Sequence, residues 1–263
     1  MIDLDAYARD GFAVLPDFVP LDACEALKAR AAELVAGFEP GPDPTAFSTI
    51  DQAHASDRYF RESGGAIRFF VEAEAPAQLN KIGHALHDLD PVFDRFSRQP
   101  RLAELAARLD LEEPLLLQSM YLFKQPHVGA EVGWHQDATF LRTDPASVTG
   151  FWIALDDANQ DNGCLVALPG AHRGPLRQWF GYQGGELVSR TIDASPWPPV
   201  EPVALEVRRG TLIVLHGLLP HASSANRSPH PRQAYSLHVI DGRADYPADN
   251  WLQRPDLPLR GFA

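Results

Sequence analysis

In the second half of the chain, short apolar runs alternate with polar and turn-forming residues. These runs recur about a dozen residues apart, a spacing typical of the strands of a β-sandwich or barrel. They predict strands at residues 115–124, 132–137, 148–156, 164–169, 203–207, 211–216 and 233–240. Asn162-Gly163 is a strong hairpin signal between two of them. We therefore predict a mainly β core over residues 114–242.

The first 110 residues show mainly helical spacing instead. An apolar stripe through Leu27, Ala31 and Leu34 predicts a helix that ends near Gly37. Further elements are expected as strands at residues 11–16 and 66–72 and as helices at residues 80–88 and 91–109. The expected architecture is one domain over residues 1–263, in which flanking helices of the N-terminal part, residues 1–110, support the β core.

Two long segments lack a sustained period. Residues 39–65 are rich in Pro, Gly, Asp and Ser, and residues 178–199 combine two tryptophans with a Gly184-Gly185 pair. Both predict irregular insertions. Long loops of this kind often border a substrate entrance, so each is a candidate lid.

Composition narrows the possible partners. The formal net charge of -12 disfavours nucleic acid and anionic membrane surfaces, although a local basic groove stays open. Cys24 and Cys164 lie far apart in no metal-binding spacing, so we expect buried thiols. No apolar run is long enough to cross a bilayer, and the start has no secretory pattern. The sequence predicts a cytoplasmic protein that binds a small molecule.

The strongest chemical signal is Trp134-His135-Gln136-Asp137. Residues i and i+2 of an extended strand point to the same face, so His135 and Asp137 can reach one ion together. His221 follows the apolar run 211–215 and is a candidate third ligand. Two histidines and one carboxylate with open positions opposite are typical of non-haem Fe(II) oxygenases. A lone His-x-Asp is also common as a hydrogen-bonded pair or in a turn.

Residues after His221 add a second signal. Arg232 carries a planar, permanently charged fork that suits a carboxylate, and Ser223 offers a hydroxyl donor beside it. A metal triad together with a carboxylate anchor indicates a cosubstrate with two acidic ends. The chain has only three lysines, Lys28, Lys81 and Lys124, against many arginines.

Several of these runs carry a resemblance to a known family. Residues 133–141, 151–157, 162–165 and 221–232 resemble the phytanoyl-CoA dioxygenase family of Fe(II)/2-oxoglutarate oxygenases. The similarity spans most of the chain. Residues 80–86, 118–121 and 250–252 resemble the subgroup of phytanoyl-CoA dioxygenase domain-containing proteins.

The resemblance implies a double-stranded β-helix, the jelly-roll of cupin-like proteins. It implies that His135, Asp137 and His221 bind Fe(II), and that Arg232 with Ser223 holds the distal carboxylate of 2-oxoglutarate. The subgroup also implies cosubstrate contacts from three further residues, namely Lys81, Met120 and Trp152. With O2, 2-oxoglutarate would be converted to succinate and CO2 while a substrate C-H bond is oxidised. Family halogenases have a small residue in place of the carboxylate, so Asp137 favours hydroxylation.

Other interpretations remain open from the sequence. Without the resemblance, Lys81 is interpreted as a solvated lysine at the end of a helix. Trp152 is then interpreted as a core residue. A cupin-like protein that binds metal without using O2, or a pseudo-enzyme that binds 2-oxoglutarate, is the alternative function. Arg232 with Ser223 counts against the first alternative. The substrate is either a CoA thioester or a free small molecule, and the oligomeric state stays open.

Overall fold

The structure is a computed structural model that describes residues 2–39, 41–47, 53–109 and 111–262. Its α-helices are α1 (Leu4–Asp10), α2 (Leu21–Ala36), α3 (Arg58–Arg61), α4 (Leu86–Leu89), α5 (Pro91–Ser97) and α6 (Pro100–Arg108). Its strands are β1 (Phe12–Leu15), β2 (Ala46–Phe47), β3 (Ile67–Glu72), β4 (Leu79–His84), β5 (Pro114–Leu122), β6 (Val132–His135), β7 (Thr149–Ala154), β8 (Leu165–Ala167), β9 (Gln178–Gln183), β10 (Glu186–Thr191), β11 (Val203–Leu205), β12 (Leu212–His216), β13 (His221–Ser223) and β14 (Ala234–Asp241). The seven strands predicted in the second half are confirmed, with boundaries moved by at most two residues.

These strands form two main sheets. The major sheet has eight strands in the order β1-β12-β7-β14-β5-β4-β3-β2, and the minor sheet has four in the order β11-β8-β13-β6. Neighbours pair antiparallel except β2 and β3. This mostly β architecture, with two antiparallel sheets around an interior, is the predicted jelly-roll or double-stranded β-helix.

Both faces of the major sheet are covered by other parts of the chain. Successive side chains of β7 point alternately to one face and the other. Phe151 and Ile153 pack into the large apolar cluster on the helical side. Trp152 and Ala154 pack into a second cluster with residues of the minor sheet. Strands buried on both faces have nearly continuous apolar sequences, which is why residues 148–156 read as one apolar run.

The helical layer packs on the outer face of the major sheet. Leu27 of α2, Phe93 of α5 and Leu102 of α6 belong to the same buried cluster as Phe151. Local sequence fixes the start of α5, because Asp90 Oδ1 accepts hydrogen bonds from the backbone N–H groups of residues 92 and 93 and Pro91 occupies the first turn. The flanking helices expected beside the β core are present in this layer, while β1 to β4 of the N-terminal part join the major sheet itself.

One predicted helix, over residues 80–88, is wrong. Residues 79–84 form β4, and only the short α4 follows it. Ile82 faces the helical layer, whereas Lys81 lies on the opposite face and is 4% exposed. Lys81 is therefore a buried strand residue rather than a solvated lysine at a helix end. Pairing with β3 and β5 overrides the local helical spacing, since both neighbours supply backbone partners for an extended chain.

The two segments predicted to be irregular contain more order than expected. Residues 178–199 include the hairpin β9–β10, with Gly184 and Gly185 at its turn, both at positive φ. Of residues 39–65, the described part includes β2 and α3, while residues 40 and 48–52 lie outside the described residues. Phe47 and Phe60 from this segment line the interior cavity. A lid role for either segment stays a prediction.

Two expectations from composition are tested directly. Cys24 and Cys164 are free thiols and are buried, as predicted. Among residues 2–39, 41–47, 53–109 and 111–262, no helix is both long enough and apolar enough to span a membrane.

The C-terminal segment is attached to the helical layer through one buried carboxylate, Asp88. Arg98 and Arg260 each place an Nη2 nitrogen near its Oδ1, at 2.6 and 2.8 Å, and Arg254 pairs with Oδ2. The side chain of Asp88 is fully buried. Burial alone would raise the pKa of Asp88, but His87 and Arg254 hold that pKa well below its usual range.

We expect Asp88→Asn to lower the free energy of unfolding by about 3–5 kcal/mol, because it leaves buried guanidinium groups without their counter-charge. Urea denaturation followed by circular dichroism measures the change. Asp94→Asn is the matched control, since Asp94 also pairs with Arg98 and Arg260 but is 36% exposed. Equal stability losses in the two variants would contradict the central role of Asp88.

Candidate active site

The pairing of two short strands in the minor sheet brings the predicted metal ligands together. His135 at the end of β6 lies directly opposite His221 at the start of β13. Asp137 begins the 3₁₀ turn that follows β6. One ligand atom from each of the three residues lies within 4.8 Å of the others. The Nε2 atoms of both histidines are 3.7 Å from Asp137 Oδ1.

Backbone carbonyls orient the two histidine rings through their Nδ1 atoms. His135 Nδ1 is 2.9 Å from the carbonyl of Gly133, and His221 Nδ1 is 3.0 Å from the carbonyl of Leu219. A carbonyl can only accept, so each Nδ1 donates and each Nε2 keeps a free lone pair. Burial and the neighbouring His221 lower the pKa of His135 to about 4. Neutral imidazoles with free Nε2 atoms are the form that binds a metal.

Asp137 has a further neighbour that sequence reasoning missed. His238 on β14 places Nε2 3.3 Å from Asp137 Oδ2, the oxygen that faces away from the two other histidines. A Cβ atom at Gly150 would lie 3.1 Å from the same oxygen, so glycine there leaves room for the carboxylate. Burial alone would raise the pKa of Asp137, but His238 and His221 hold it below its usual range. The carboxylate is therefore ionised and oriented.

A cavity of about 770 Å³ between the sheets contains the three ligands. One part of its wall is aromatic and is formed by Phe60, Phe140, Phe180 and Trp251. Phe60 and Trp251 stack with ring centroids 4.5 Å apart. The cavity is large enough for a small cosubstrate together with part of a second molecule.

Another part of the cavity wall carries a buried cation. Arg232 is 3% exposed, and its Nε donates to the carbonyl of Gly163 at 3.1 Å. Among the residues that the structure describes, its Nη1 has no hydrogen-bond partner although it is buried. Its Cζ lies 5.4 Å from the centroid of the Trp152 ring. Ser223 lines the same wall. An unpaired nitrogen of a buried guanidinium is costly, so the wall is suited to an anion.

Lys81 and Met120 line the cavity from β4 and β5. Lys81 Nζ is 3.9 Å from Met120 Sδ and 3.1 Å from the ring centroid of Phe47. Burial lowers the pKa of Lys81 well below its usual value. The structure thus brings all eight predicted site residues, namely Lys81, Met120, His135, Asp137, Trp152, His221, Ser223 and Arg232, to one cavity. Their contacts with iron and a cosubstrate stay predictions.

The alternation of apolar and polar residues along β14 is a sequence signal that indicates His238. Tyr235, Leu237 and Val239 face the helical layer. Ser236 and His238 occupy the intervening positions and line the cavity. Polar residues at every second position of an otherwise apolar strand indicate a polar interior face. The neighbour of His238, Asp137, lies in the turn after β6, and the alternation along β14 alone does not reveal that contact.

Comparison with known proteins agrees with this geometry. The family model described as phytanoyl-CoA dioxygenase (PhyH) matches residues 7–234. The chain belongs to the phytanoyl-CoA dioxygenase family. Among its relatives, "Phytanoyl-CoA dioxygenase" of Arabidopsis thaliana is 40% identical over 97% of this chain and 94% of that protein. "Phytanoyl-CoA dioxygenase domain-containing protein 1" of Mus musculus is 40% identical over 97% and 96%.

Solved structures share the fold of this family member. EctD from S. alaskensis, crystallised with 2-oxoglutarate and 5-hydroxyectoine, superposes with a TM-score of 0.69 at 23% identity, covering 97% of this chain and 83% of that chain. SnoK, a non-heme alpha ketoglutarate dependent carbocyclase from nogalamycin biosynthesis, gives 0.66 at 22% identity, covering 92% and 84%. These similarities confirm the predicted jelly-roll, and the family match confirms the resemblance.

We expect His238→Phe to weaken divalent metal binding about 10- to 100-fold, because Asp137 Oδ2 loses the imidazole nitrogen that lies 3.3 Å away and the carboxylate is less restrained. Competition with a chromophoric chelator measures the affinity. His230→Phe is the control, since residue 230 is exposed. Metal affinity that is unchanged in His238→Phe would contradict an orienting role for His238.

Proposed function

We propose that this protein is an Fe(II)- and 2-oxoglutarate-dependent dioxygenase that hydroxylates a C-H bond of a small molecule. The proposal rests on one observation: the cluster of His135, Asp137 and His221 lies in the same cavity as the buried Arg232. Within the described part of the chain, Nη1 of that arginine has no hydrogen-bond partner. The cluster suits a metal ion, and Arg232 suits a carboxylate. A cosubstrate that joins them needs a chelating end and a second acidic end, as 2-oxoglutarate has.

The donor set fits Fe(II). Two imidazole nitrogens and one carboxylate oxygen would hold the ion, and this is the donor set of non-haem Fe(II) oxygenases. When bound, the iron supplies the oxygen chemistry. The protein holds the ligands: the carbonyls of Gly133 and Leu219 fix the histidine rings, and His238 restrains Asp137.

The cosubstrate would lie between the triad and Arg232. In this arrangement Arg232 and the Ser223 hydroxyl donate to the distal carboxylate, while the Trp152 ring forms the wall beside the guanidinium. Lys81 and Met120 approach from β4 and β5, on the major sheet. These groups bind and orient the dianion, and burial excludes the water that would compete for it.

The remaining cavity would hold the substrate. Its aromatic wall of Phe60, Phe140, Phe180 and Trp251 suits an apolar moiety. Among the described residues that line the cavity, Glu74 and Glu131 are exposed, and Arg227 is the one exposed arginine. These exposed charges favour a free small molecule over a CoA thioester as the substrate, because the several phosphates of CoA need more than one cation.

Hydroxylation is the reaction we favour within this family. Asp137 keeps its carboxylate in the cluster, so no ligand position is vacated for a halide. The fold also occurs in SnoN, a structure described as an epimerase, at a TM-score of 0.66, and in the carbocyclase SnoK. Product analysis therefore has to distinguish oxygen insertion from desaturation, cyclisation and epimerisation.

We expect anaerobic addition of Fe(II) and 2-oxoglutarate to produce a visible charge-transfer band, because a chelating 2-oxo acid must contact the metal. Admission of O2 without substrate should then release succinate slowly. Absorption spectroscopy and succinate quantification measure the two steps. Bound iron without a band or succinate would favour a cupin-like metal protein, and a band without succinate across a broad substrate panel would favour a pseudo-enzyme.

We expect Arg232→Leu to weaken 2-oxoglutarate binding about 30-fold or more, because a buried charge that pairs with the carboxylate is removed. Metal affinity should stay unchanged, since Arg232 is outside the triad. Isothermal titration calorimetry on the Mn(II)-loaded protein separates the two affinities. Arg208→Leu, at an exposed residue, should bind like the wild type. Full 2-oxoglutarate affinity in Arg232→Leu would refute the anchor.

A further inference from the structure

A second buried cation lies behind the Arg232 wall. Lys124, just after β5, is 5% exposed, and its Nζ donates to Ser223 Oγ at 2.8 Å and to the carbonyl of Ala130 at 2.9 Å. Gly163 makes room for it, because a Cβ atom there would lie 2.5 Å from Lys124 Cε. The lysine is thus built into the wall of the site through Ser223, although it does not line the cavity itself.

No carboxylate of the described residues forms an ion pair with Lys124. In the described part of the chain, its polar partners are one hydroxyl and one carbonyl, both neutral. Arg232 approaches from the segment before β14, Cys164 from the residue before β8, and Glu72 and Glu131 from β3 and the residue before β6. Burial and Arg232 lower the pKa of Lys124 to about 6, while the two glutamates and Cys164 act in the opposite direction.

We propose, on the basis of the proposed function, that Lys124 is a positioning residue of the 2-oxoglutarate site and takes up one proton from solvent when the dianion binds. The incoming carboxylate beside Arg232 supplies the negative charge that this wall lacks. An ammonium is then favoured at Nζ, and the proton comes from the buffer. No other bond is made or broken.

Protonation of Lys124 has a structural consequence at Ser223. A neutral amine can accept a hydrogen bond from the Ser223 hydroxyl, whereas an ammonium can only donate. When Nζ donates to Oγ, the hydroxyl hydrogen of Ser223 has to turn elsewhere, and the cavity with its bound carboxylate is the available direction. Lys124 therefore sets the direction in which Ser223 donates.

Proton uptake by Lys124 makes the affinity for 2-oxoglutarate fall as the pH rises. Below about pH 6, Lys124 is protonated with or without cosubstrate, so binding takes up no proton. Above that value the empty protein has lost the proton and must regain it on binding. The Kd for 2-oxoglutarate should then rise by up to tenfold per pH unit, because one proton is bound with the ligand. The carboxyl groups of 2-oxoglutarate remain ionised throughout this range.

Calorimetric titration of 2-oxoglutarate into protein saturated with Mn(II) tests the proposal. Titrations at about pH 7.5 in buffers of different ionisation enthalpy give the number of protons taken up. We expect nearly one proton for the wild type and none for Lys124→Met, with at least tenfold weaker binding in the variant. Lys124→Arg, which stays charged, should bind without proton uptake and with little pH dependence, and it decides the question if Lys124→Met does not fold.

The controls separate this proposal from the proposed function. Lys28→Met should keep the wild-type uptake, since Lys28 lies on α2 and pairs with Asp156 at 2.5 Å. Cosubstrate binding without proton uptake in the wild type, or uptake that persists in Lys124→Met and so belongs to another group such as Lys81, would overturn the role of Lys124. Absence of any 2-oxoglutarate binding to the wild type would instead refute the proposed function.

Discussion

The antiparallel pairing of β6 with β13 is the interaction on which the candidate site depends. It places His221 opposite His135, although the two residues are far apart in sequence. Neither strand is long, and each is stabilised by its sheet rather than by its own length. The Nδ1 groups of both rings then bind backbone carbonyls of the same segments. The geometry of the two candidate histidine ligands is thus a property of the minor sheet.

The interior of the jelly-roll departs from an ordinary apolar core. Asp137, His221, Ser223 and Arg232 are all nearly buried there. Burying such groups costs free energy unless they find partners, and Arg232 Nη1 has none in the described part of the chain. The apolar cluster on the helical side of the major sheet offsets that cost. The fold therefore separates its functions: one face of the major sheet stabilises the molecule, and the other forms the site.

Arg232 and Lys81 on this interior face, and Lys124 behind it, differ in how firmly each keeps its charge. Arg232 keeps its charge, because even after burial its pKa is lowered only to about 10. Lys124 and Lys81 are more compact amines whose charge depends on their surroundings. A site with one fixed cation and titratable neighbours can adapt its charge to a dianion. Without the ligand, the same site avoids accumulating unpaired buried charges.

The sequence by itself determined seven strands of the β core, the His-x-Asp pair and the family resemblance, because these depend on short-range spacing and on motifs. It did not determine β13, whose three residues are too few to show a period. It did not determine that residues 79–84 form a strand, because pairing with β3 and β5 outweighs local helical spacing. The contacts of His238 and Lys124 also emerged only in three dimensions. Their roles rest on contacts with Asp137 and Ser223, and such contacts form only when distant strands pair and bury polar groups together.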